Sequence, residues 1–65
     1  MVYLMNDAGE CVMEFARCFV RRKGQPTQRT EEHSRAIELW RSRDDLHFED
    51  SIGAILNPFT LEVED

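Results

Sequence analysis

No apolar run in this chain approaches the roughly 18 residues needed to cross a bilayer, which excludes a membrane-spanning helix of the usual kind. There is no CxxC or HxxxH spacing, so the ordinary zinc-ligand patterns are missing although Cys11, Cys18, His33 and His47 are the right residue types. The three glycines are scattered at 9, 24 and 53, which leaves no phosphate-cradling loop. Prolines number two, Pro26 and Pro58, and no repeat or low-complexity tract is present. Met1-Val2-Tyr3-Leu4-Met5 is too short and too poor in flanking base to read as a signal peptide, so the expected compartment is the cytoplasm. Beyond Arg43 there is no Lys or Arg at all.

What is present is a 65-residue chain with a hydrophobic share of 42% and a charged share of 32%, a balance that can fold as one domain and argues against wholesale disorder. Ala8, Cys11, Val12, Phe15, Cys18 and Phe19 recur at three- and four-residue steps, which predicts a first helix over 7–23. Asp7 with Glu10 resembles a capping box, and Arg21, Arg22, Lys23 and Gly24 suit its far end. A rival reading makes Val2–Met5 and Cys11–Phe15 a hairpin around Asn6-Asp7-Ala8-Gly9, since these residues tolerate extended backbone. On the helical reading Cys11 and Cys18 stand about 10 Å apart along the axis, too far for a disulfide, and both are expected to be reduced core residues.

A second helix is predicted over 30–43, capped by Thr30, with Glu31 and Glu32 in its first turn and a Glu31–Arg35 pair. His33, Ala36, Ile37 and Trp40 form its inner face, and Asp44-Asp45 ends it. Leu46-His47-Phe48-Glu49 and Phe59-Thr60-Leu61-Glu62-Val63-Glu64 alternate as strands with one wet face, and Asn57-Pro58 is turn chemistry. The stretch Ile52–Leu56 reads as a short strand or a connection. The expected fold is α+β: two helices followed by a C-terminal antiparallel β-hairpin or short meander in a single small domain.

Charge is segregated along the chain. Arg17, Arg21, Arg22, Lys23 and Arg29 lie in a stretch without one acid, whereas Asp44, Asp45, Glu49, Asp50, Glu62, Glu64 and Asp65 follow Arg43 without one base. The bland reading is that the two regions neutralise each other or keep the domain soluble. The functional reading is that the acids face a basic groove on a partner, which long-range attraction helps them find. The net charge of −5 stands against phosphate-backbone binding by the Arg17-to-Arg29 end, so direct nucleic-acid binding is not the leading expectation. On the helical reading Met13 and Val20 project away from the apolar stripe, which marks them as a dimer or partner contact. No nucleophile–base pair accompanies either histidine, and the acidic run 44–50 lacks a calcium-loop pattern. No enzyme, cofactor or metal site is therefore expected.

Ala36-Ile37-Glu38-Leu39-Trp40, followed by Arg43 through Gly53, resembles a group of small proteins of phages and mobile elements. The shared pattern is a helix with Ala and Leu-aromatic, an acidic break, then a short strand running into an Asp-rich turn. It is similar in particular to a type I-E anti-CRISPR inhibitor, in which an Arg-acid-acid segment precedes an aromatic-acid-Asp-Ser-apolar-Gly turn. The resemblance covers residues 33–53; the basic end of the first predicted helix and a final strand without tryptophan depart from it. It implies a bacterial-host cytoplasmic protein that binds a host protein or nucleoprotein complex, foremost a CRISPR surveillance complex. Added to the charge layout, it points to Asp44, Asp45, Glu49, Asp50, Glu62 and Glu64 as the partner-binding residues. The alternative is a small dimeric DNA-associated regulator working through the basic Arg17-to-Arg29 end.

Overall fold

The computed structural model describes residues 1–64. It holds six strands and one helix, in the order β1 (Val2–Asn6), β2 (Cys11–Phe15), β3 (Phe19–Val20), β4 (Gln28–Arg29), α1 (Glu31–Ser42), β5 (Leu46–Glu49) and β6 (Ile55–Leu56). The α+β class is as expected, but the chain has one helix where two were predicted. Residues 7–23 form the turn and second strand of the rival hairpin and run on into β3.

The hairpin prevails for local and long-range reasons. Asn6 accepts through Oδ1 from the backbone N–H groups of Ala8 (3.1 Å) and Glu10 (2.8 Å), closing a turn that competes with helix. Gly9 sits at φ +79°, left-handed backbone that glycine adopts without a Cβ penalty. The four-residue spacing of Cys11, Phe15 and Phe19 does not by itself separate helix from hairpin, and in the hairpin they share no face: Phe15 is buried beside Val2, Cys11 is exposed beside Met5 beyond the bulge, and Phe19 belongs to β3. Val2 and Leu4 decide between the two structures: both are fully buried, Tyr3 and Met5 are not, and that period-two strand needs a neighbour to pair with. β2 supplies it on one side, matching Val2 to Phe15 and Leu4 to Met13, with a bulge before Met5. β5 supplies it on the other, matching Leu4 to Phe48.

The resulting antiparallel sheet runs β2-β1-β5-β6, and β3 pairs with β4 as a separate two-stranded hairpin. Helix α1 lies where the second helix was expected. Thr30 caps it by accepting from His33 N–H at 3.2 Å, and Glu31 pairs with Arg35 at 2.9 Å. It buries His33, Ala36 and Ile37 against one face of the sheet. Together with Val2, Leu4, Phe15, Leu46, Phe48, Leu56 and Leu61 this is the core, and each large side chain in it contributes roughly 1.5–3 kcal/mol of burial.

The final strand differs from expectation. Residues 58–60 form a turn in which Asn57 Oδ1 accepts from Phe59 N–H (2.8 Å) and Thr60 N–H (3.1 Å). Leu61 then adopts φ +59°, at a strain of about 1–3 kcal/mol for a residue with a Cβ, and is held there by full burial and by its N–H donating to Asn57 O at 2.8 Å. Only Val63 returns to the sheet, bridging Leu56. No helix among the described residues is long and apolar enough to cross a membrane.

Candidate functional site

Helix α1 covers one face of the sheet, and on the opposite face the side chains of the described residues are exposed or half-buried, with no second helix over them. Register places Glu14 beside Tyr3, Tyr3 beside Glu49 and Glu49 beside Ile55. Glu64 follows, its N–H donating to Ile55 O at 2.9 Å. Cross-strand neighbours share a side of the sheet, so this row alternates carboxylate and apolar side chains. With strands about 4.8 Å apart, Glu14, Glu49 and Glu64 recur at intervals of about 10 Å. Met5 and His47 form the next row on the same face, and Val12 lies half-exposed at the bulge. None of β1, β2, β5 and β6 contains a Lys or Arg, so every formal charge on this face is negative or resides on His47.

The six acids singled out from sequence have separate fates. Asp44, Glu62 and Glu64 are exposed, and their carboxylates make no hydrogen bond or ion pair among the described residues. Glu49 lies on the open face and hydrogen-bonds His47. Asp50 holds the turn into β6, with Oδ1 accepting from Ile52 N–H (3.0 Å) and Ala54 N–H (2.9 Å), so its role is structural. Asp45 receives two hydrogen bonds from the Arg43 guanidinium, at 2.9 and 2.6 Å, so its charge is answered within the chain. The acids thus divide between the two ends of β5 and the strip beyond β6, and do not form one cluster. The seventh, Asp65, lies outside the described residues.

The hydrogen bonds from Arg43, and then its positive charge, hold the Asp45 carboxyl below the usual carboxylate range. A group whose folded pKa is depressed adds stability above its unfolded pKa, about 3.9 for Asp, and that stability is lost as pH falls through the folded value. Asp45→Asn should therefore separate from the native chain in chemical-denaturation profiles at neutral pH, by the small amount expected of an exposed pair. The gap should narrow as pH falls below the unfolded Asp pKa and close once pH has passed the lower, folded value. A gap that persists in acid would show that Asp45 acts by something other than its charge.

The helical side on which Met13 and Val20 were expected to make a dimer or partner contact is absent. Without a helix over 7–23 they share no helical side: Met13 faces inward and packs against the core, and Val20 is half-buried in β3 opposite Gln28. Cys11 and Cys18 are free thiols, as expected, but exposed and not in the core, because β2 starts at the bulge and Cys18 sits between β2 and β3. His33 is fully buried, which agrees with a core role. Among the described residues no group of three or more His, Cys, Asp or Glu side chains is placed to hold a metal ion.

The basic residues Arg17, Arg21, Arg22, Lys23 and Arg29 all belong to the β3–β4 hairpin and its approach, and all are exposed. The charge segregation seen along the chain is therefore a segregation by element, with an acidic sheet and a basic arm. No protein-family model, curated protein or solved structure matches the chain. What the fold defines is a small α+β domain with an uncovered, carboxylate-bearing sheet face. Sequence reasoning missed Glu14 and Tyr3 as members of that face; the alternation Val2-Tyr3-Leu4-Met5 was the available signal.

Proposed function

We propose that the protein is a stoichiometric, non-enzymatic inhibitor that docks its acidic sheet face onto a cationic surface of a host defence complex, foremost a CRISPR surveillance complex. The observation that carries this reading is the row Glu14–Tyr3–Glu49–Ile55–Glu64 on a sheet face that no other layer covers and no Lys or Arg interrupts. Carboxylates at about 10 Å intervals can meet a groove built to hold a phosphate backbone, while Tyr3 and Ile55 supply apolar area between them. The resemblance of residues 33–53 to a type I-E anti-CRISPR inhibitor supports the same choice of partner.

The test is binding of the purified protein to a purified type I-E surveillance complex, followed by surface plasmon resonance at two salt concentrations. Replacing Glu14, Glu49, Glu62 and Glu64 together by Gln should slow association by about tenfold or more and flatten its salt dependence, because charges of this kind act first on encounter. Asp50 is left intact in that variant since it holds a turn. Failure of the native protein to bind, or an association rate and salt slope unchanged by the four substitutions, would overturn the proposal.

A further inference from the structure

We infer that the basic arm carries a second binding site, for single-stranded nucleic acid, in which an unstacked base enters a groove between Phe19 and Phe59 while the arm's cations meet the flanking phosphates. The inference is independent of the acidic-face reading. It starts from two large aromatic side chains that the fold leaves 39% and 44% exposed, Phe19 and Phe59, although they are 40 positions apart. They wall one groove of about 600 Å³, with Arg29 beside them and the hydroxyls of Thr27, Ser34 and Thr60 at its edges. That is large enough for a planar base, and the hydroxyls offer hydrogen-bond partners of both kinds.

Both walls are held in place. Phe19 pairs with Arg29 across the β3–β4 ladder, and its ring meets the buried His33 ring edge to face at 5.6 Å. Phe59 sits in the turn held by Asn57, with its ring against Trp40 at 5.8 Å. His33 ties the two sides together, since its Nε2 donates to Pro58 O at 2.7 Å. Arg29 already lies over the Phe59 ring at 5.4 Å, the cation–π arrangement that also suits stacking of a base.

Charge selects the occupant. Arg17, Arg21, Arg22, Lys23 and Arg29 give this part of the chain five positive charges and no acid between them. The nearest carboxylates in sequence are Glu31, which is paired with Arg35 at 2.9 Å, Glu32, and Glu14 on the open sheet face. A duplex keeps its bases stacked and would use only the cations; a single strand uses cations and rings together. The net charge of −5 obscured this, because the acids all lie outside the arm.

The test is fluorescence anisotropy of labelled oligothymidylate and oligouridylate on the free protein, with quenching of Trp40, the single tryptophan, as a second signal. Binding should weaken about fiftyfold between about 50 and 200 mM salt if about four phosphates are neutralised. Phe59→Leu should lose roughly tenfold or more in affinity at constant salt slope, with Phe59→Tyr restoring it. Replacing Arg21, Arg22 and Lys23 by Gln should flatten the slope. The DNA and RNA arms show whether the 2′-hydroxyl contributes. No binding of either oligonucleotide would overturn the inference. So would equal affinity for a duplex, equal competition by a Glu-rich peptide, or indifference to Phe59→Leu in a variant with native circular dichroism.

Discussion

Replacing Phe48 by alanine should remove most of the stability of this domain. Phe48 is 1% exposed, at the middle of the sheet, between Leu4 on β1 and Leu56 on β6. Its ring meets Phe15 and Trp40, each with centroids 6.3 Å away, so it joins both sides of the core. A buried Phe→Ala change costs about 3–5 kcal/mol, part lost transfer energy and part cavity. A chain of this length is expected to have about 3–10 kcal/mol in all, and short chains lie toward the lower end because they bury a smaller share of their surface. The midpoint of thermal unfolding should fall by about 15 °C or more, or the cooperative transition should vanish. Ile52→Ala, at a side chain 87% exposed, should change stability by less than about 0.5 kcal/mol and serves as the control. A Phe48→Ala protein that melts within a few degrees of the native one would show that helix α1 and the sheet are not packed through this residue.

The elements that local chemistry defines were legible in the sequence. Thr30, the acids of the first turn and the Glu31–Arg35 pair define α1 without help from the rest of the chain, and the structure has them all. Leu46–Glu49 alternates and is a strand; Asn57 and Pro58 begin a turn. The first third was ambiguous because its four-residue apolar spacing reads as a helix while Val2-Tyr3-Leu4-Met5 reads as a strand, and the pairing of Leu4 with Phe48, 44 residues further on, is what resolves it. The alternation of residues 59–64 misled for another reason. It requires extended backbone at Leu61, but burying that side chain after the Asn57 turn brings the residue to φ +59°.

Charge was legible as a list and not as a surface. The sequence showed seven acids after Arg43, but Asp45 is answered by Arg43 and Asp50 is occupied by backbone donors. The face that remains recruits Glu14 from a strand the sequence reading had made helical. The groove between Phe19 and Phe59 had no sequence signal, because its residues come from β3, β4, α1 and the 58–60 turn. The acidic sheet and the basic arm separate only when the hairpin forms. Helix over 7–23 would have put the arm's arginines on the same rod as the residues that now pair with β1.

His33 should separate packing from hydrogen bonding at the junction of these parts. The ring is fully buried, stacks on Phe15 with centroids 5.4 Å apart, and meets the edges of Phe19 and Phe48. A carbonyl oxygen only accepts, so Nε2 carries the hydrogen that it shares with Pro58 O. In the neutral ring that leaves Nδ1 as an acceptor, and Nδ1 is buried with no partner among the described residues. His33→Ala opens a cavity beneath three aromatic rings and strands the Pro58 carbonyl, an expected loss of about 2–4 kcal/mol. His33→Phe keeps the stacking and removes the buried Nδ1, whose desolvation opposes folding by about 1–3 kcal/mol, against the same stranded Pro58 carbonyl at about 1–3 kcal/mol. The phenylalanine variant should therefore unfold within about 1.5 kcal/mol of the native protein in urea, and the alanine variant well below it. If both fall together, the bond to Pro58 rather than ring packing is what fixes the 58–60 turn against the helix.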